Sequence, residues 1–198
     1  VNHIEGHVSA NYIAHPELEP PFLCLVVSGG HTHLVVVRDY GVYELVGQTV
    51  DDAAGEAFDK VARILGLPYP GGPKLDEAAR DGRDDAYEFP RPLVKGTMNF
   101  SFSGIKTAAI NLSHKLAQQG VELNRADFAA SYRRRVVEAL VERTEEAARL
   151  TGMTRIAMAG GVSANSLLRA EMQRMCAQHG YAAYMPPLLL CTDNAAMI

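Results

Sequence analysis

The spacing of apolar residues changes period several times along the chain, and each change marks an element. In HIEGHVSANYIAH, Ile4, Val8 and Ile13 recur among polar residues in a weak helical pattern, which PELEPP then breaks. FLCLVV at 22–27 is a continuous apolar run, as for a strand buried on both faces. Two further strands follow in HTHLVVVRDYGVYELVGQTV. Gly29-Gly30 is a hairpin turn before them, and Tyr40-Gly41 is a looser turn between them. DDAAGEAFDKVARILGL reads as a helix, with Ala57, Phe58, Val61, Ala62 and Leu65 as its apolar face and Gly66 ending it.

Beyond Gly66 the pattern loosens and then sharpens again. PYPGGPKLDEAARDG is a proline- and glycine-rich loop that enters a short helix, and YEFPRPLVKGTMNFSFSG is irregular with a short strand at most. Two helices come next, GIKTAAINLSHKLAQQG and the long amphipathic NRADFAASYRRRVVEALVERTEEAARLTG. RIAMAGGVSANSLLRAEMQRMCAQHG is strand, glycine turn and helix, with the helix beginning around Ser163. YAAYMPPLLL is a strand followed by a loop, and CTDNAAMI opens a helix with Thr192 or Asp193 as its cap. Strands mixed with crossover helices predict α/β architecture.

Composition narrows the class. The 198 residues suit one sizeable domain or two small lobes. Hydrophobic content of 47% and charged content of 21% are ordinary for a globular protein. A net charge of −4 gives no long-range attraction to nucleic acid, so any such contact needs a local patch or a partner. Cys24, Cys176 and Cys191 are odd in number and widely spaced, which predicts a reducing, cytosolic setting rather than a disulfide framework. No apolar run is long enough for a membrane span. The first residue is Val1 and the last, Ile198, falls inside a starting helix, so a piece of a longer chain is expected.

The candidate chemistry is distributed. His3 and His7 stand four apart and share a helix face, so their imidazoles can share one metal ion. The protease motif H-E-x-x-H needs Glu directly after the first His; Glu5 sits about 200° round the helix from His3 and faces away. Two surface histidines on an amphipathic helix are the plain alternative. Asp193 is the candidate third ligand, although on sequence spacing alone a plain helix cap is the favoured reading. Two His and one carboxylate suit Fe(II) or Zn(II).

Other positions offer cradles. Ser28, Gly29 and Gly30 leave backbone N–H groups uncovered for an anion, unless the glycines serve only a left-handed turn. His31 and His33 read as surface residues beside that turn. The helix after Gly160-Gly161 offers a positive N-terminus. Asp52, Glu56, Asp59 and Arg63 stack on one helix face, which is either solvated or aimed at ligand hydroxyls. Gly71-Gly72 permits close approach, and the run Arg133-Arg134-Arg135 is a basic spot or a solvated face.

In combination these motifs resemble one family. HIEGH, LVVSGGHTHL, DDAAGEAFDKVARILGLPYPGGPKLDEAA, FSFSGIKTA, AGGVSANSLLR and CTDNAAMI occur in the order found in tRNA adenosine threonylcarbamoyltransferases, formerly called glycoproteases. The resemblance covers essentially the whole chain. It implies an actin/Hsp70/sugar-kinase-like (ASKHA) fold of two lobes, with the first lobe incomplete. Residues 1–18 would be its remnant, 19–190 the second lobe with a helical insertion, and 191–198 the start of the return. By the same resemblance, His3, His7 and Asp193 match metal ligands for Fe(II) or Zn(II). Val26, Val27, Ser28, Gly29 and Gly30 match a substrate-binding hairpin, and Asp59, Gly72, Asp76 and Asn165 match contacts to an adenylate. The implied donor is threonylcarbamoyl-AMP and the implied acceptor tRNA. The implied partners are a paralogous ASKHA-fold subunit and a small ATPase, in the cytoplasm. The rivals are a metalloprotease, an ATP-binding protein of the same fold and a non-catalytic scaffold.

Overall fold

The apolar run at 22–27 becomes the central strand. In the computed structural model, which describes residues 3–192, β1 (Phe22–Val27) lies between two neighbours and is buried throughout. β2 (Thr32–Asp39) pairs with it antiparallel on one side, and β4 (Arg155–Ala159) pairs parallel on the other. β3 (Val42–Gln48) and β5 (Ala182–Tyr184) complete a sheet of order β3-β2-β1-β4-β5. Side chains alternate along a strand, so β1 feeds two cores. Leu23, Leu25 and Val27 enter the larger core, while Phe22, Cys24 and Val26 enter a smaller one on the opposite face.

Helices cover both faces. α1 (His3–Ala14) packs on the smaller core through Val8, and its Asn11 Nδ2 donates to the Met158 carbonyl of β4 at 3.0 Å. α2 (Ala54–Ile64) buries the predicted face, with Ala57, Phe58, Val61, Ala62 and Leu65 all inside the larger core. Gly66 then ends it at φ +68°, a left-handed conformation that glycine adopts without strain. α5 (Arg125–Thr151) adds Phe128, Tyr132 and Leu140 to the same core, and α6 (Ser166–His179) adds Leu168 and Met172. α3 (Gly71–Ala78), α4 (Ser103–Gln118) and the short α7 (Leu188–Cys191) complete the described elements. No helix among the described residues is long and apolar enough to cross a membrane.

Two local expectations change. The helix predicted near Ser163 begins later: Gly161–Ala164 form one 3-10 turn, and α6 starts at Ser166. Asn165 is the reason, because its Oδ1 accepts from the Leu168 N–H at 3.0 Å and satisfies an open donor of the first turn. Ser163 is fully buried and its hydroxyl caps nothing. The arginine run is also not a free basic spot. Arg133 pairs with Asp76 at 2.8 Å, Arg134 lies 3.5 Å from both Asp84 and Glu138, and Arg135 pairs with Glu138 at 2.9 Å.

α4 takes its cap from a distant loop. Its own N-cap, Phe102, has no side-chain acceptor. The Asp51 carboxylate fills that role, accepting from the backbone N–H of Phe102 at 2.7 Å and of Ser103 at 3.2 Å. The hydroxyls of Ser101 and Ser103 donate to it as well. Burial raises the Asp51 pKa, but these hydrogen bonds favour the anion and win, so the net shift is downward. A carboxyl depressed only in the folded state stabilises fully above the usual range near 4 and loses that contribution as pH falls through the folded value. Asp51→Asn should therefore flatten the acid-induced loss of stability below about pH 4, read as urea midpoint against pH. An unchanged acid limb would show that the cap contributes nothing.

Candidate functional site

β1 and β4 run parallel and end at the same edge of the sheet, the place where open α/β sheets form clefts. β1 runs into the turn at 28–31, where Ser28 N–H donates to the His31 carbonyl at 2.8 Å and His31 N–H donates to Ser28 Oγ at 3.1 Å. Gly29 and Gly30 are exposed at its tip, and neither has a left-handed φ. The turn thus does not need glycine for its backbone conformation. A Cβ at either position would meet no atom within 4 Å. What glycine leaves is open wall, and neither N–H has a protein acceptor among the described residues.

Two other glycines bring the walls together. A Cβ on Gly55, in the first turn of α2, would lie 2.6 Å from the Ser28 carbonyl oxygen. A Cβ on Gly160, at φ +88°, would lie 2.4 Å from the Val27 carbonyl oxygen. Both obstacles are backbone and cannot swing aside, so α2 and the β4 turn reach the end of β1 only through glycine.

These walls enclose a cavity of about 900 Å³, within the range of small-ligand sites. His3 and His7 of α1 line it, together with Ser28, Gly29 and Gly30 of the turn. Asp59 of α2, Gly72 and Asp76 of α3, and Asn165 line it as well. Val26 and Val27 do not; their side chains are buried on opposite faces of the sheet. Asp193 lies outside the described residues, and Thr192 before it lines the cavity.

Hydrogen bonding divides the polar residues into fastened and available. Both Asp76 oxygens are fastened: Oδ1 accepts from Arg133 at 2.8 Å and Ser166 Oγ at 3.0 Å, and Oδ2 from Ser166 N–H at 3.0 Å. Asp76 therefore ties α3 to α5 and α6. Asp59 accepts the Gly72 N–H on Oδ1 at 3.0 Å, and its Oδ2 accepts from no described residue. Asn165 spends its oxygen on the α6 cap, and its Nδ2 has no acceptor among the described residues. Among the described residues, Asp59 Oδ2, Asn165 Nδ2 and the N–H groups of Gly29 and Gly30 are thus polar atoms of the wall left without a protein hydrogen bond.

The histidines gather more closely than their spacing implied. The rings of His3 and His7 stand 4.6 Å apart at 77°, with His7 only 2% exposed. His31 lies 6.1 Å from His3, and His33 lies 5.4 Å from His31. His31 and His33, read from the sequence as surface residues, are partly buried in this chain of rings. Burial first, and the neighbouring His31 second, lower the His33 pKa and favour its neutral form. The His3–His7 pair fits as two imidazole donors to one ion. Among the described residues no group of three His, Cys, Asp or Glu side chains is placed to complete a metal site. Glu5 is not on the cavity wall: Tyr43, on β3, has its pKa raised first by burial and then by the Glu5 charge. That position is wrong for the base of a protease.

Sheet order and cleft define the class, an α/β fold of the actin, Hsp70 and sugar-kinase type. The whole chain aligns with full-length HypF, solved in a phosphate- and nucleotide-bound form, at a TM-score of 0.74 and 14% identity, covering 34% of that chain. Component A of (R)-2-hydroxyglutaryl-CoA dehydratase from Acidaminococcus fermentans aligns with 93% of this chain and 61% of its own, at a TM-score of 0.54 and 16% identity. At such identities the likeness is one of fold. Sequence is more specific: the chain belongs to the tRNA N6-adenosine threonylcarbamoyltransferase family, whose profile matches residues 1–198. Relatives of that name in Clostridium botulinum and Caldicellulosiruptor bescii are 55% and 54% identical over 100% of this chain. The chain spans 58% and 59% of their respective lengths.

The two kinds of glycine should behave oppositely. Gly30→Ala should leave the fold intact or stabilise it by about 0.4–1 kcal/mol. Gly55→Ala should cost about 1–3 kcal/mol or more, because its Cβ meets backbone. Urea denaturation of both variants checks this, and equal losses would contradict an open turn.

Proposed function

We propose that this chain forms the donor-binding cleft of a tRNA adenosine threonylcarbamoyltransferase. The donor is threonylcarbamoyl-AMP, and the acceptor is the exocyclic amine of the adenosine beside the anticodon, in tRNAs that read ANN codons. One observation carries the reading: the family-matched residues from His3 to Asn165, Val26 and Val27 excepted, are scattered along the chain yet line one cavity of about 900 Å³.

The chemistry explains why such a cleft is useful. The amine is a poor nucleophile, because its lone pair is delocalised into the purine, so the acyl donor has to be activated. The new bond joins the amine nitrogen to the carbamoyl carbon, and the bond from that carbon to the phosphate oxygen breaks. AMP departs with the electron pair, and the amine loses one proton. The open N–H groups of Gly29 and Gly30 are suited to the phosphate and to charge that develops as it leaves. Asp59 Oδ2 accepts hydrogen bonds from nucleoside hydroxyls, and Asn165 Nδ2 donates to the nucleoside. Asp76 acts indirectly, by fastening α3 against α6.

His3 and His7, with Asp193 as third ligand, would hold one Fe(II) or Zn(II) ion, which when bound supplies Lewis acidity and orients donor oxygens. A chain of net charge −4 attracts tRNA poorly by itself. Binding is then shared with a paralogous subunit of the same fold and a small ATPase, in the cytoplasm. The test uses His7→Ala. Metal content should fall, and affinity for threonylcarbamoyl-AMP by calorimetry should drop about tenfold or more. Wild-type metal content together with wild-type donor affinity in the variant would overturn the reading.

A further inference from the structure

At the rim of the cleft stands an aromatic side chain that the donor reading leaves unused. Tyr69 is 87% exposed. It lines the main cavity and also a second one of about 310 Å³ beside it, so it forms the ridge between them. The two cavities also share Gly29 and Asp59. A large exposed ring with no aromatic partner among the described residues is costly to leave in water and is a ready stacking surface.

The charges around this ridge point the same way. Most basic side chains of the described residues are tied to carboxylates or carbonyls, including all of the 133–135 run. Arg63, on the wall of the smaller cavity, and Arg80, on the wall of the larger, are not. Neither has an ion pair or side-chain hydrogen bond among the described residues, and both are exposed. Glu77, one turn before Arg80, is occupied by Lys74 at 2.9 Å. Lys60, beside Arg63, is held by Glu56 at 2.7 Å. On a chain of net negative charge, two exposed guanidinium groups without a close ion pair thus share cavity walls with one exposed ring, Arg63 in the smaller cavity and Arg80, whose charge also acts on Glu77, in the larger.

An exposed ring with flanking cations is the chemistry that holds unstacked bases and their phosphates in single-stranded RNA. We infer that Tyr69 stacks on an unpaired base of the RNA loop adjoining the target adenosine, while Arg63 and Arg80 contact the phosphates on either side. This assignment rests on the proposed function and adds an acceptor ledge to the donor cleft. Stacking on one base while its neighbour is extruded would present the amine to the cavity without any base-specific contact.

The test uses the full-length protein, alone and assembled with the two proposed partners, and a labelled tRNA anticodon stem–loop read by fluorescence anisotropy. Tyr69→Ala should weaken RNA binding about tenfold or more, and Tyr69→Trp and Tyr69→Phe should retain it within about twofold, because any aromatic face stacks. Arg63→Gln and Arg80→Gln should each reduce the slope of log affinity against log salt by about 0.7. Thermal unfolding and calorimetric affinity for threonylcarbamoyl-AMP are measured on every variant. Wild-type RNA affinity in Tyr69→Ala overturns the inference and leaves the proposed function standing. An equal loss of donor affinity overturns it too, by placing Tyr69 in the donor pocket. A wild-type assembly that neither binds nor modifies the RNA overturns both.

Discussion

The site depends on backbone meeting backbone at the end of β1. Gly55 brings α2 against the Ser28 carbonyl, and Gly160 brings the β4 turn against the Val27 carbonyl, each closer than any Cβ permits. Added methyl groups here would not merely fill space; they would separate the elements whose ends form the cleft. The positions of the Ser28 turn, Asp59 and Asn165 follow from that contact. The Ser28 turn is fixed by β1, Asp59 is carried by α2, and Asn165 follows the 3-10 turn after Gly160. Gly29 and Gly30 have a different task, since nothing crowds them and neither is left-handed. Their lack of side chain keeps the wall open and its N–H donors uncovered.

A second constraint is the division of labour among carboxylates. Asp51 and Asp76 are both surrounded by donors and act as struts, the first for the start of α4 and the second for the junction of α3, α5 and α6. Removing one member of a largely buried charged pair such as Asp76–Arg133 typically costs about 3–5 kcal/mol, a large share of a domain's net stability. Asp59 keeps one oxygen uncommitted, so it is the acidic residue of the wall best placed to meet a ligand. Proximity to the cavity does not separate these roles; the count of occupied lone pairs does.

Family membership and fold reinforce one another at different resolution. HypF and the dehydratase component share the fold at identities too low to carry chemistry. The relatives at 52–55% identity carry the family name over the whole chain. The cleft then has two sides with different chemical character. One is a histidine-rich and N–H-rich interior, and the other is a rim where Tyr69, Arg63 and Arg80 meet solvent. The proposed transfer between an adenylate and an RNA base would use both sides, the interior for the donor and the rim for the polymer.

Much of this was legible in the residues. Periodicity located β1, α2 and α5, because burial of an apolar stripe is dictated by neighbours within a few positions. The family motifs pointed to most of the cavity wall, and the misplaced Glu5 excluded the protease geometry on helix arithmetic alone. The cap of α6, the clustering of His31 with His3 and the purpose of the Gly29-Gly30 pair were not legible, nor was the pairing of Arg133. Each depends on which groups meet across the fold: Asp76 is fastened by Ser166, ninety positions away, and α4 is capped by Asp51, about fifty positions upstream. Short-range sterics and hydrophobic spacing are written along the chain, so the sequence by itself determined the elements and the chemical types available. Only tertiary structure decided which donors and acceptors are already satisfied, because hydrogen bonds are consumed by whichever distant partner the packing delivers.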